Sequence, residues 1–158
     1  MAARKVELLL KTPAKISVIA PDVCNTIQQY ADAGKITLLN RSFEETDIQS
    51  QKLIFVATNN TQLNANIHAL AKAKGVLVNV VDNPPLCEFI TPAIVDRSPI
   101  VIALSSGGVA PVLLRYLRQK LESVVPTGIS KLGQLFESYR EKVKARFNTV
   151  DERRTFWE

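Results

Sequence analysis

Residues 75–108 read GVLVNVVDNPPLCEFITPAIVDRSPIVIALSSGG: two apolar runs, with a carboxylate after the first and a Ser-Ser-Gly-Gly turn after the second. The run 76–81 has the β-branched character of a strand buried on both faces, as parallel sheets require, and Asp82 closes it. The C-terminal edge of an open α/β sheet is where ligands bind, which makes Asp82 the first candidate for chemistry. The second run, 100–104, leads into Ser105, Ser106, Gly107 and Gly108. A helix then opens with Pro111 near its first turn, and free backbone N–H groups there favour an anion.

Upstream of this stretch the pattern alternates. Residues 2–11 read as a helix with Val6, Leu9 and Leu10 on one side, ended by Thr12-Pro13. Residues 16–20 form a strand closed by Pro21-Asp22, residues 23–33 a helix striped by Val23, Ile27 and Tyr30, and residues 36–39 the next strand after the stop at Gly34. Residues 53–57 are a further strand, and 62–74 a helix bearing Leu63, Ile67 and Leu70, with Gly75 as its C-cap. Strands alternating with helices of this length predict an α/β fold with a doubly wound, Rossmann-like parallel sheet.

Downstream, Pro84, Pro85 and Pro92 break the rhythm. The runs 89–94 and 100–104, separated by Asp96-Arg97-Ser98-Pro99, predict a hairpin with an edge on which a second copy can pair, hence a homodimer. Residues 112–124 then form a helix with Leu113, Leu117, Leu121 and Val124 inward. Another follows Pro126, striped by Ile129, Leu132, Phe136, Tyr139, Val143 and Phe147, and residues 151–158 add a last turn or two.

Composition bounds the function. A chain of 158 residues, 46% hydrophobic and 22% charged, can bury a core as a soluble globular protein. Its net charge of +5 and pI near 9.4 suit an anionic partner: a polycarboxylate, a phosphorylated cofactor or nucleic acid. The basic residues Arg115, Arg118, Lys120, Arg140, Lys142, Lys144 and Arg146 lack the interleaved aromatics that stacking on single strands needs, so nucleic acid is not expected. Cys24 and Cys87 lie far apart without metal-type spacing, which suggests a reducing compartment. No apolar run reaches membrane-spanning length and the N-terminus is a poor secretory signal, so a cytoplasmic location is expected. His68, the sole histidine, reads as a surface helical residue, and no Cys/His cluster marks a resident metal.

Each candidate site has a bland alternative. Asp82 is either a proton acceptor or a carboxylate capping the next turn. Asp22 suits the hydroxyls of a ribose, or the N-cap of the helix from Val23. Thr58, Asn59 and Asn60 border the same crevice or cap the following helix. Ser105, Ser106, Gly107 and Gly108 hold an anion or merely turn the chain. Asn79 reads as a structural hydrogen-bonding residue, and Asp96 and Arg97 as a pair that holds the dimer region together.

AARKVELLL, ISVIAPD, LIFVATNN, NVVDNPPLCEFITPAIVDRSPIVIALSSGGVAPVLLRYLRQKLE and DERRTFWE closely resemble the N-terminal module of siroheme synthase, over essentially the whole chain. The pairing of DRSP with SSGG at this spacing is the specific part. The resemblance implies a precorrin-2 dehydrogenase and sirohydrochlorin ferrochelatase: NAD-dependent oxidation of precorrin-2 to sirohydrochlorin, then insertion of Fe²⁺, as substrate, to give siroheme. It implies Asp82 as the catalytic carboxylate; Pro21, Asp22, Thr58 and Asn59 at the cofactor; and Ser105, Ser106, Gly107 and Gly108 at the substrate. Ser106 is similar to a serine phosphorylated in relatives, where added negative charge would oppose an anionic macrocycle. The implied organisation is an NAD-binding domain over 1–90, a dimerisation region over 91–125 and a helical domain over 126–158.

Two departures from the family carry expectations of their own. The strand and Val-Gly-Gly-Gly-type turn that precede the first helix in the family do not stand before Ala2, and the uroporphyrinogen methyltransferase of the long forms does not follow Glu158. Without that strand, the strands at Ile16 and Leu53 lose a shared neighbour, and each unpaired buried backbone group costs about 1–3 kcal/mol. A shortened version of a longer enzyme is therefore expected, with a non-catalytic dimerisation or binding module as the competing outcome.

Overall fold

The alternating apolar runs of residues 1–90 fold as strands and helices in a computed structural model, which describes all 158 residues and separates into two units, 1–90 and 91–158. The first unit holds helix α1 (Ala2–Leu9), strand β1 (Ser17–Ile19), α2 (Asn25–Asp32), β2 (Thr37–Leu39), β3 (Leu53–Val56), α3 (Thr61–Ala73) and β4 (Leu77–Val80). Helices as short as α1 and α2 are marginal alone in water, and burial of one apolar stripe holds them. Val6 and Ile27 supply those stripes and meet Ile36 in one core, with Val18 and Leu38 packed against it. A separate core gathers Ile48, Val56, Ile67, Ala71, Val76, Val78 and Val80.

Each core lies with one pair of parallel strands. Ser17 of β1 faces Thr37 of β2, and Leu53 of β3 faces Leu77 of β4. The architecture is the Rossmann-like α/β arrangement, but its ladders fall into two pairs: β1 and β3 share none. The strands at Ile16 and Leu53 thus each keep one edge open, as anticipated for strands without a common neighbour. Gly75, at φ +67°, turns the chain from α3 into β4, and the Val76 N–H closes back on the Ala71 carbonyl at 2.9 Å.

Two expectations change here. Helix α2 starts at Asn25, with Cys24 as its N-cap, because Val23 packs into the core ahead of the helix. In the run 76–81, Val78, Asn79 and Val80 are buried, whereas Leu77 is half exposed.

The second unit contains β5 (Ala93–Arg97), β6 (Ile100–Leu104), α4 (Pro111–Val124), α5 (Ile129–Arg146) and α6 (Val150–Trp157). β5 and β6 form an antiparallel hairpin: β6 spans the predicted 100–104, whereas β5 lies downstream of the predicted 89–94. Pro92 has no N–H to give a ladder, so pairing begins after it; Asp96 and Arg97 join the strand opposite Val101 and Ile100, leaving Ser98-Pro99 as the turn. Arg97 does more than pair with Asp96. Its guanidinium donates to the Glu122 and Val125 carbonyls, both at 3.3 Å, satisfying acceptors left over where α4 ends.

The apolar stripes of α4 and α5 are only partly turned inward. Val143 is buried and Leu121, Ile129 and Phe147 are half-buried, but Leu113, Leu117, Val124, Leu132, Phe136 and Tyr139 are exposed. One short hairpin has too little area to cover two long helices. Helix α6 packs by aromatic contacts, Trp157 against Phe136 at 4.9 Å and Phe156 against Phe147 at 5.5 Å between centroids, after a reciprocal cap between Thr149 and Glu152. No helix is long and apolar enough to cross a membrane.

Candidate active site

Asp82 lies two residues past the end of β4, in a tight turn closed by the Asn83 N–H on the Val80 carbonyl at 3.2 Å. Its φ of +59° is in the left-handed region, which aspartate tolerates better than most residues; Ser50 is the only other non-glycine residue so placed. Strain of this kind gathers at functional sites. The side chain is exposed and takes none of the hydrogen bonds of its turn, so it does not act as a cap.

What fixes the turn is the segment that follows it. Asn79 is buried, and its Nδ2 donates to the Phe89 carbonyl at 2.8 Å and reaches the Cys87 Sγ at 3.4 Å. The Cys87 Sγ sits 3.1 Å from the Val80 carbonyl and 3.2 Å from that of Asn83. The Glu88 N–H donates to the Val78 carbonyl at 2.9 Å. Residues 83–89 are therefore laced back along β4, and Asp82 projects from a braced support. Asn79 has the structural role its sequence position suggested.

Sequence reasoning missed the neighbour that approaches from α1. The Lys5 ammonium stands 5.2 Å from the Phe55 ring centroid, and Phe55 meets Phe89 edge-on at 5.4 Å. Burial pulls the Lys5 amine below its ordinary value, while the charge of Asp82 pushes it back up. Nothing in the sequence marks Lys5, which reads as one cation of the Arg4-Lys5 pair on a helix.

At the end of β1, Pro21 and Asp22 are exposed. With Cys24 as the N-cap of α2, the capping account of Asp22 fails. After β3, Thr58 and Asn59 are exposed as well, but they divide. The Thr58 hydroxyl donates to the Asn64 Oδ1 at 2.6 Å and accepts the Asn60 N–H at 3.1 Å, while the Asn60 Oδ1 accepts the Leu63 N–H at 3.0 Å. Thr58 and Asn60 are thus occupied in starting α3, and Asn59 is the side chain of this loop that remains for binding. Past the carboxyl ends of β1, β3 and β4, Asp22, Asn59 and Asp82 are each exposed: two carboxylates that can accept hydroxyl hydrogens and an amide that can both donate and accept.

A hollow of about 630 Å³ in this unit lies along α3, bounded by Asn60, Gln62, Leu63, Ala65, Asn66 and Ala69. It contains no titratable group, so it offers nothing for proton transfer, and Asp82 is not part of it. In the second unit, Ser105–Gly108 form the turn between β6 and α4. The Ser105 Oγ accepts the Gly107 N–H at 3.3 Å and the Ser106 Oγ accepts the Ala110 N–H at 3.0 Å. Gly107 and Gly108 both have positive φ, which a side chain would strain.

Comparison with known proteins adds the following. Residues 1–93 match the family described as "Putative NAD(P)-binding", and residues 128–158 match the "Sirohaem synthase dimerisation region". The whole chain is 65% identical to a siroheme synthase of Pseudoalteromonas atlantica and 48% identical to one of Nitrosococcus oceani, covering 34% of each. It spans about a third of the length of these curated relatives. A solved structure titled "SirC, precorrin-2 dehydrogenase" superposes with a TM-score of 0.79 over 98% of this chain and 76% of its own, at 24% identity, and so shares the fold.

Proposed function

Because the chain belongs to the NAD(P)-binding family matched by residues 1–93 and resembles siroheme synthases along its whole length, we propose that it oxidises precorrin-2 to sirohydrochlorin, with NAD⁺ accepting the hydride. The observation that carries this reading is Asp82: an exposed carboxylate, held by a braced turn past the carboxyl end of a parallel strand. Oxidation of precorrin-2 removes one hydride and one proton from the macrocycle. The bound nicotinamide supplies the hydride acceptor, and the Asp82 carboxylate takes the proton.

The remaining assignments are those that the resemblance implies. Asp22 receives ribose hydroxyls, Asn59 and the backbone at Pro21 and Thr58 border the cofactor, and Ser105, Ser106, Gly107 and Gly108 form the anion-holding turn for substrate carboxylates. A phosphate on Ser106 would repel the polycarboxylate substrate and inhibit. Ferrochelation is the finer part of the proposal: Fe²⁺ enters as substrate and two pyrrolic N–H protons leave, which the same carboxylate accepts one after the other and passes to solvent. A homodimer is the assembly in which this occurs, supported by the dimerisation-region match and the exposed apolar faces of α4 and α5.

The test is the absorbance of precorrin-2 incubated first with NAD⁺ and then with Fe²⁺, for this chain and for Asp82→Ala. The substitution is expected to lower turnover by about 10²–10⁴-fold with the dimer intact. Unchanged turnover would remove Asp82 from the mechanism, and oxidation without metal insertion would remove the chelatase step alone. The missing ladder between β1 and β3 favours a second reading, a binding or dimerisation module without catalysis. Titration calorimetry separates the two: no heat with NAD⁺ from an intact dimer supports the module.

A further inference from the structure

Where the backbone turns to positive φ this chain uses glycine at Gly34, Gly75, Gly107 and Gly108; Asp82 is one of two exceptions. A glycine at that position would turn without strain, whereas an aspartate has to be held there. Backbone bonds secure the approach and the exit. The Val81 N–H donates to the Val56 carbonyl at 2.9 Å, and the Leu86 N–H to the Asn83 carbonyl at 3.0 Å. Across the turn itself runs a longer bond, from the Asn83 N–H to the Val80 carbonyl at 3.2 Å. The Cys87 Sγ spans the same gap from the side, 3.1 Å from the Val80 carbonyl and 3.2 Å from that of Asn83. The sulfur is itself fixed: Cys87 pairs with Asn79 in an antiparallel bridge, and the Asn79 Nδ2 donates to it at 3.4 Å.

We propose that Cys87 is a positioning residue for Asp82: its thiol ties together the carbonyls on the two sides of the turn and so holds the conformation that presents the carboxylate. A thiol is both a weak donor and a weak acceptor, so it receives the Asn79 amide while offering its one hydrogen to the two carbonyls. Space-filling alone would not require a cysteine. The backbone here is extended, with φ −117° and ψ 121°, so valine would sit on it without strain and fill the half-buried volume, but it offers no donor. Serine keeps the donor. For its effect on turnover the inference rests on the reading of Asp82 as proton acceptor, whereas the hold on the turn is measurable without any activity.

The experiment has two arms, on the full chain and on variants whose folds circular dichroism has confirmed. In the first, amide hydrogen exchange is followed by NMR in the wild type, Cys87→Val and Cys87→Ser. The Asn83 amide is expected to exchange about tenfold faster in Cys87→Val and near the wild-type rate in Cys87→Ser, with the Val81 amide unchanged in both. An Asn83 amide equally protected in wild type and Cys87→Val overturns the proposal. In the second, the same variants are assayed with precorrin-2 and NAD⁺, alone and combined with Asp82→Ala. Cys87→Val is expected to lower kcat about tenfold to a hundredfold with KM for NAD⁺ unchanged, Cys87→Ser to recover most of it, and Cys87→Val to cost nothing further once Asp82 is alanine. An equal loss in both backgrounds, or a serine variant as slow as the valine one, overturns the positioning role. If Asp82→Ala alone keeps wild-type turnover, the reading of Asp82 as proton acceptor fails, and the exchange arm still decides whether Cys87 holds the turn.

Discussion

Individual side chains here divide into those the fold employs and those it leaves to a ligand. Asp22 is proposed to be of the second kind: it is exposed, past the end of β1, and Cys24 stands at the N-cap in its place. Asp22→Ala is expected to raise the KM for NAD⁺ about tenfold, the loss of a charge-assisted hydrogen bond, with kcat little changed. Steady-state kinetics with varied NAD⁺ checks this, and an unaltered KM would return Asp22 to the surface. Asp47 is of the first kind. Arg41 grips it through both nitrogens at 2.8 and 2.6 Å, and the Glu44 N–H adds a third bond at 2.8 Å beside the fully buried Ile48. The Arg41 guanidinium holds the Asp47 carboxyl below its usual range. A carboxylate depressed in the folded state stabilises above the unfolded pKa, about 3.9, and that stability is lost as pH falls through the lower folded value. The melting temperature of the wild type is therefore expected to drop more steeply below about pH 4 than that of Asp47→Asn, and parallel curves would refute it. At this scale Asp82 was legible because a charge ending an apolar run is conspicuous. Lys5 was not, since what distinguishes it is a contact with Phe55, fifty residues away in the chain.

Among the elements, α5 meets the β5–β6 hairpin closely at Gly133. A Cβ on Gly133 would lie 2.9 Å from the Cγ and 3.0 Å from the Cδ of Pro99, a ring that cannot swing aside. Two effects oppose one another in Gly133→Ala. Helix propensity favours alanine by about 0.8–1.0 kcal/mol, whereas overpacking costs about 1–3 kcal/mol. The steric term is the larger because the obstruction is a rigid turn, so the variant is expected to melt a few degrees lower, and a raised melting temperature would show that the hairpin yields. Sequence alone did not contain this contact. The glycine sits in the middle of an amphipathic helix, where only the partner surface explains it, and the hairpin register was displaced because Pro92 counts against a strand only once its ladder position is known. The βα rhythm before it was readable because periodicity and glycine stops are local properties: Ile27 and Ile67 fall on buried faces as their spacing requires.

For the molecule as a whole, the unsettled quantity in the sequence was what covers the apolar faces. Spacing reveals that α4 has a stripe through Leu113 and Leu117, but periodicity is the same whether the stripe meets its own chain or another. In the structure Leu113 is 55% exposed and Val101, on the outer side of β6, is 56% exposed. Apolar residues gathered in this way mark an association surface, and the match of residues 128–158 to a dimerisation region points to a second copy. Burying a leucine contributes about 1.5–3 kcal/mol, and a charge in its place adds a desolvation cost, so Leu113→Glu is expected to weaken the dimer by at least about tenfold. The fold of each subunit should survive, because Leu113 is more than half exposed within its own chain. Sedimentation velocity across a concentration series measures both species. A wild type that stays monomeric at every concentration would defeat the dimer, and a Leu113→Glu variant that associates as tightly as the wild type would move the interface away from α4.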